Sequence, residues 1–335
     1  MYEVFNQNDF SIIKIKRNDI EVELLNYGAS IYNIRTKGKQ GVLEDIVLKY
    51  KNLEDYLNNN IYLNATIGPI AGRIKNAIIK TDKKLYHLDK NSNNLHTLHS
   101  GSAAVSYQFF DYEITEYDNF TEVLFYLEMS KPVNYRLRVF YKVYDSKIRI
   151  DYEIETEEDF VFNLTNHAYF NLSGNLSKNI RSHEVILNSN LRHELDQDLV
   201  FSGKIINEKG IYDFRENSNL DQTIKQLEKT SKGGVDDIYY FPKNDLRKVM
   251  AEVFEPVSKR IMKVKSTMDH LVFYTHNNIN KLPLEHLDNH FKHYALCFEC
   301  QKAPYGFQDG FAKKTLIKAG KIGFETIIFE FSIKK

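Results

Sequence analysis

The chain has 335 residues, of which 42% are hydrophobic and 27% charged, and its 45 basic side chains equal its 45 acidic ones. The resulting formal charge of zero excludes the basic surface with which proteins bind nucleic acid or anionic membranes. The N-terminal twenty residues have no continuous apolar stretch, so we expect neither a signal peptide nor a membrane anchor.

Alternating apolar and polar residues predict β-strands along most of the chain. The segments with this pattern are 20–36, 121–129, 134–144, 148–155, 295–301 and 325–333. Short polar connections join the second, third and fourth of them, which predicts an antiparallel meander. Only 51–60 and 219–229 could form a helical turn or two. The pattern predicts an all-β sandwich or barrel, and the lack of a linker or repeat predicts one domain over 1–335.

Two segments in the first hundred residues carry candidate site residues. In "GPIAGRIKN", glycine and proline bend the backbone beside Arg73, whose guanidinium could bind sugar hydroxyls or be an ordinary surface cation. In "NNLHTLHSG", His96 and His99 are three residues apart and would face opposite sides of a strand. They are therefore poor joint metal ligands, and one of them lining a pocket is the better interpretation.

Two further segments lie in the middle of the chain. "NLTNHAYFNLSG" places His167 where a strand enters a turn, either as a core histidine bonded to backbone or as an oriented proton donor. "GGVDDIYYF" places Asp236 and Asp237 after two glycines, which is typical of a turn with solvated charges.

The segment "ALCFECQ" places Glu299 in an otherwise apolar strand, where a carboxylate costs free energy unless it is paired or functional. Cys297 and Glu299 share one face, and Cys300 lies on the other. The two cysteines lack the second pair that a zinc site needs, and two cysteines make no disulfide framework, so we expect packing residues in a reducing cytoplasm.

A second metal-like pattern is "HLDNHFKH", with histidines at 286, 290 and 293. Leu287 stands where a helical zinc protease motif has its acidic residue. The sequence therefore predicts no metal site.

Taken together, these motifs resemble the aldose 1-epimerase family in order and along most of the chain. The resemblance rests on "GRIKN", "LHSG", "NLTNHAYFNL", "GGVDD" and "CFECQ". It implies a large antiparallel β-sandwich that interconverts the anomers of free aldoses without a cofactor. By match to the family, Glu299 is the base, His167 the acid, and the residues that hold the sugar are Arg73, Asn76, His99 and Asp236.

The chain departs from the family pattern at several positions. Ser100 replaces one of the two glycines after His99, Val235 and Asp237 flank Asp236 where tyrosine and histidine are usual, and Ala77 follows Asn76 in place of arginine. These positions border the implied sugar pocket and leave the acid and the base in place.

The implied mechanism predicts the charge state of His167, and three alternative functions remain open. We expect His167 to be protonated near neutral pH, because a neighbouring carboxylate stabilises the imidazolium. The rivals are a non-catalytic sugar-binding sandwich, a glycoside hydrolase that uses Asp236 and Glu299, and a mutarotase for phosphorylated sugars. The preferred aldose and the oligomeric state are not determined by the sequence.

Overall fold

The computed structural model describes residues 1–81, 84–216, 218–278, 282–287, 292–304 and 315–334. Within these ranges the chain forms strands almost throughout, as the alternating pattern predicts. All strand pairs are antiparallel, apart from one isolated parallel bridge between Ile70 and Asn163. The prediction of an antiparallel all-β fold is therefore confirmed.

The strands divide the chain into three stretches. The first contains β1 (Tyr2–Gln7), β2 (Phe10–Lys16), β3 (Ile20–Leu25), β4 (Ser30–Lys37), β5 (Leu43–Asp45), β6 (Thr66–Ile67), β7 (Arg73–Ile74), β8 (Ile78–Lys80), β9 (Leu85–His87) and β10 (Thr97–Leu98). The second contains β11 (Asp111–Glu116), β12 (Thr121–Met129), β13 (Tyr135–Val143), β14 (Lys147–Thr156), β15 (Phe160–Val161), β16 (Thr165–Asn166), β17 (Glu184–Leu187), β18 (Leu191–Leu195) and β19 (Phe201–Asn207). The third contains β20 (Ser218–Asn219), β21 (Asp236–Tyr240), β22 (Ala251–Phe254), β23 (Arg260–Ser266), β24 (His270–Tyr274), β25 (Cys297–Gln301), β26 (Leu316–Ile317) and β27 (Ile322–Ile333).

Three larger sheets organise these strands. The first has the order β1-β2-β3-β4-β5, and the largest has the order β11-β12-β13-β14-β27-β23-β22-β17-β20. The third, which we call the site sheet, has the order β19-β18-β21-β24-β25. Four two-stranded pairs, β6/β16, β7/β10, β8/β9 and β15/β26, complete the described sheets.

The helical segments are short, as the sequence predicts. The one described α-helix, α1 (Leu220–Leu227), lies within the predicted 219–229 segment, and the Asn219 side chain caps it by accepting the Asp221 N–H at 2.9 Å. The 3-10 helices are Leu53–Asn58, Lys75–Ala77, Gly101–Ala103, Val105–Tyr107 and Gly210–Tyr212. No helix among the described residues is long and apolar enough to cross a membrane.

The main hydrophobic core joins the nine-stranded sheet to the site sheet. Alternate side chains of β12, β13 and β14 are buried on one face, as the period of two predicts. They belong to the same apolar cluster as Phe273 of β24 and Phe298 and Cys300 of β25. Packing of the two sheets therefore leaves the other face of β25, with Cys297 and Glu299, turned away from this core.

Candidate active site

A cavity of about 360 Å³ lies over the exposed face of the site sheet. Five of the six residues chosen from the sequence line it: Arg73, His99, His167, Asp236 and Glu299. They come from β7, the turn after β10, the turn after β16, β21 and β25, which are far apart along the chain. The fold therefore converges five separate motifs on one cavity of a size typical for small-molecule sites.

Asn76 does not join this group, and the sequence expectation for it is corrected. It lies in the Lys75–Ala77 turn with φ of 55°, its side chain is exposed, and it is not part of the cavity wall. Its backbone N–H donates to Nδ1 of the buried His96 at 3.0 Å. The turn after β7 directs Arg73 into the cavity and carries Asn76 outside it.

Glu299 occupies the middle of β25, and only 4% of it is exposed. Its neighbours Phe298 and Cys300 point into the main core, so alternation along the strand directs the carboxyl to the cavity. β25 pairs with β24, where Val272 lies opposite Glu299. Pairing of all five β25 residues with β24 thus holds the carboxyl in position, and both cysteines are free, buried and on opposite faces, as predicted.

His167 faces Glu299 from the turn after β16. Its backbone is held by its N–H to the Ala65 carbonyl at 3.0 Å and by its own carbonyl, which accepts the Asn64 N–H at 3.1 Å. The imidazole stacks on Tyr169 with ring centroids 5.0 Å apart. These contacts direct Nε2 toward Oε1 of Glu299 at a distance of 3.5 Å.

His99 is oriented by a backbone donor, which also settles its tautomer. Its Nδ1 accepts the Gly72 N–H at 3.2 Å, so in the neutral ring Nε2 carries the proton. Within the described residues, His99, His167 and Glu299 form one group whose ligand atoms lie within 4.8 Å of one another. A metal would need a lone pair from His99, but Nδ1 is engaged and Nε2 is a donor. The group therefore fits hydrogen bonding to a polar ligand better than it fits a metal.

Asp236 and Arg73 complete the polar lining. Burial raises the pKa of Asp236, while Arg73 and, more weakly, Lys232 act to lower it. Nε of Arg73 is buried and has no hydrogen-bond partner among the described residues. The cavity thus contains one guanidinium and one acidic partner, both able to bond ligand hydroxyls.

Asp237, expected from the sequence to be a solvated turn charge, is fully buried in an ion network. Its carboxylate accepts Arg192 Nη1 at 2.7 Å and Lys232 Nζ at 2.6 Å, and Arg192 also pairs with Glu208. Lys232 Nζ donates further to the Asp236 carbonyl at 3.1 Å. The network supports the backbone directly beneath the Asp236 side chain.

Burial reverses the charge state that the sequence led us to expect. Burial, with Asp236 adding to it, raises the pKa of Glu299 to about 8, although Arg73 opposes the shift. Burial also lowers the pKa of His167 to about 4. The pair therefore holds one proton between about pH 4 and pH 8, and that proton resides on Glu299. Desolvation disfavours the carboxylate and the imidazolium alike, and it outweighs their mutual attraction.

Sequence reasoning missed much of the cavity wall. Three tyrosines and an apolar group line it: Tyr62, Tyr169, Tyr274, Leu195, Leu199, Phe201, Ile238 and Val272. Tyr169 could have been found, because it alternates with His167 in a β-like segment. The apolar group on β18, β19, β21 and β24 and in the turn between β18 and β19 gave no signal, because apolar side chains in strands are usually core residues.

The histidines at 286 and 293 belong to no potential metal-binding group among the described residues. His290 lies outside the described residues. His293 is buried with Nδ1 2.9 Å from the Thr275 carbonyl, and His286 is exposed beside Glu285.

Comparison with known proteins agrees with this geometry. The profile of the family described as aldose 1-epimerase matches residues 11–326. Galactose mutarotase from Homo sapiens is 28% identical over 318 residues, 94% of this chain and 92% of that protein. Aldose 1-epimerase from Streptococcus thermophilus is 30% identical over 243 residues, 70% of this chain and 68% of that protein.

Solved structures show the same fold. An aldose epimerase homologue from C. elegans and galactose 1-epimerase from Lactobacillus acidophilus NCFM each align with a TM-score of 0.85 at 20% identity. Each alignment covers 100% of this chain, and 100% and 99% of those two chains. The family match and the named relatives identify the class of protein as an isomerase that epimerises aldoses. The chain belongs to the aldose 1-epimerase family.

The raised pKa of Glu299 predicts a stability effect that depends on pH. Between pH 4.5 and about 8 the folded protein keeps this proton and the unfolded chain releases it, so the free energy of unfolding falls as pH rises. Glu299→Gln removes the titrating carboxyl and with it this decrease in the free energy of unfolding. We expect urea unfolding to show the variant equal to the parent near pH 4.5 and more stable by roughly 4 kcal/mol at pH 8.

Glu252→Gln, on β22 and outside the cavity, is the matched control and should show no such pH-dependent gain. A constant difference between Glu299→Gln and the parent at both pH values would contradict the assigned charge state.

Proposed function

We propose that this protein interconverts the α and β anomers of free, uncharged aldoses such as galactose and glucose, with Glu299 as general base and His167 as general acid. The observation that carries the proposal is the 3.5 Å separation of His167 Nε2 and Glu299 Oε1 on the wall of a buried polar cavity. The names of the relatives, galactose mutarotase and aldose 1-epimerase, support the substrate class.

Ring opening requires two proton transfers. Glu299 removes the proton of the anomeric hydroxyl while protonated His167 donates a proton to the ring oxygen, which gives the open-chain aldehyde. The aldehyde rotates about its bond to the next carbon, and closure on the other face reverses both transfers. No metal or cofactor takes part in these steps.

The charge state set by burial matches the open-chain intermediate. After ring opening, the proton from the sugar resides on Glu299 and His167 is neutral, which is the state that burial favours. The reaction therefore starts from the minor form of the pair, in which the proton has moved from Glu299 to His167, and ring opening returns the pair to its favoured form.

The remaining polar residues would fix the pose of the sugar. The Nε2–H of His99 and the guanidinium of Arg73 donate to sugar hydroxyls, and Asp236 accepts from them. The faces of Tyr62 and Tyr169 offer apolar surface to the C–H groups of the ring.

The charge balance of the cavity favours a neutral sugar. Arg73 is the one cation among its described lining residues, and Asp236 offsets it. A sugar phosphate would bring two negative charges without a matching cation, which is costly in a desolvated site. This balance supports free aldoses over phosphorylated ones.

The other two rivals are less well supported. A sugar-binding protein without catalysis has no need for a buried acid beside a histidine, and both residues are present here. A glycoside hydrolase uses two carboxyl groups that flank the glycosidic bond. Here the group that faces Glu299, at 3.5 Å, is the imidazole of His167 and not a second carboxyl.

The protein is proposed to act in the cytoplasm with its sugar substrate as its ligand, and without nucleic acid or membrane partners. Its two cysteines are free and buried, which fits a reducing compartment.

Polarimetry of freshly dissolved α-galactose and α-glucose tests the proposal, with protein dialysed against a chelator and EDTA in the assay. We expect full parent activity under these conditions. Glu299→Gln and His167→Asn should each lower kcat by about 10²–10⁴, because each removes one positioned proton transfer.

Glu252→Gln and His87→Asn change the same residue types outside the cavity and should leave the rate unchanged. Variants of Glu299 or His167 within a few-fold of the parent would refute the roles assigned to them. Loss of parent activity with the chelator would refute the metal-free reaction, and release of nitrophenol from nitrophenyl glycosides would favour the hydrolase.

The shared proton predicts a bell-shaped pH profile of kcat/KM. Below about pH 4 both groups are protonated and no base remains, and above about pH 8 the pair has lost its proton and no acid remains. We expect a plateau between these values after subtraction of the spontaneous rate. Activity that stays constant from pH 7 to pH 10 would contradict the one-proton pair.

A further inference from the structure

The loop that follows β10 adopts a backbone conformation that is unusual for its sequence. His99, Ser100 and Gly101 have φ values of 49°, 70° and 58°, so three successive residues lie in the left-handed region. Glycine adopts this conformation without steric cost, and serine does not. A serine at position 100 therefore requires a compensating interaction.

The Ser100 hydroxyl supplies that interaction. The residue is 2% exposed, and its Oγ accepts the Ile70 N–H at 2.8 Å and donates to the Ile70 carbonyl at 3.0 Å. One side chain thus bonds both backbone polar groups of a residue thirty positions away. No other described side chain forms a hydrogen bond to Ile70.

This pair of hydrogen bonds between Ser100 and Ile70, which we call the clasp, joins the two loops that bring the proposed sugar-binding residues to the cavity. Ile70 lies three residues before Arg73, and Ser100 directly follows His99. Two further hydrogen bonds join the same two loops. The His99 N–H donates to the Gly72 carbonyl at 3.0 Å, and the Gly72 N–H donates to His99 Nδ1 at 3.2 Å. Beyond them, β7 and β10 pair through Leu98 and Arg73.

We propose that Ser100 is a positioning residue that sets the spacing between His99 and Arg73 and thereby the affinity for the sugar. The proposal rests on the function given above, in which these two residues bind sugar hydroxyls. Ser100 is not among the cavity-lining residues, so it acts through its neighbours. Glu299 and His167 are carried by other segments, and the chemical step does not depend on the clasp.

Two substitutions separate positioning from stability. Ser100→Gly and Ser100→Ala both remove the two hydrogen bonds, but only alanine keeps a Cβ in the left-handed conformation. We expect KM for galactose to rise about tenfold in both variants, as for the loss of one or two net hydrogen bonds. The kcat should stay within about twofold and both limbs of the pH profile unchanged. Tm should fall in both variants, because both leave the Ile70 backbone groups unpaired, and it should fall further for Ser100→Ala, which keeps a Cβ in the left-handed conformation.

Ser106→Ala is the matched control. Ser106 is a fully buried serine in the same segment whose hydroxyl has no hydrogen-bond partner among the described residues. Its KM should equal that of the parent.

The outcomes are distinguishable. An unchanged KM in both Ser100 variants, or a KM that rises only in the variant with the lower Tm, would overturn the positioning role. A parent that does not accelerate mutarotation would instead overturn the proposed function, whatever the Ser100 variants do.

Discussion

The charge state of the cavity depends on the burial of one ionisable carboxyl. Glu299 lies in the middle of β25, is 4% exposed and faces a neutral imidazole 3.5 Å away. Removing both groups from water makes the neutral pair more stable than the ion pair, so the proton stays on the carboxyl. This is the arrangement that remains after a sugar has transferred its anomeric proton to the protein. Ring opening therefore returns the pair to the form that burial favours.

The fold holds this pair in position through bonds between distant segments. Asn163 illustrates how. Its backbone N–H donates to the Pro69 carbonyl at 2.8 Å and its carbonyl accepts the Ala71 N–H at 2.7 Å. Its side chain accepts the Lys302 N–H at 2.7 Å and donates to the Lys302 carbonyl at 3.0 Å. One residue therefore ties together the Arg73 loop, the segment that leads to His167 and the end of β25, and the main core beneath them resists displacement.

The sequence predicts the parts of this molecule that follow from local rules. Period-two alternation defines the meander, and a glutamate in an apolar strand marks Glu299, because a buried carboxyl is costly without a role. Long-range geometry is not available from local patterns. Asn76 is three residues from Arg73 yet lies outside the cavity, because a left-handed residue turns the chain there. Likewise, the burial that controls the charge of His167 and the Arg192 side chain that pairs with Asp237 come from segments far away in the sequence.

The charge state of Glu299 is the central claim, and carboxyl NMR measures it directly. With glutamate labelled by ¹³C at the side-chain carboxyl, we predict one resonance that is protonated at pH 7, titrates with a midpoint near pH 8 and is absent from Glu299→Gln. A spectrum in which the Glu299 resonance is already ionised at pH 6 would show that the carboxylate, and not the neutral acid, is the resting state, and would contradict the account.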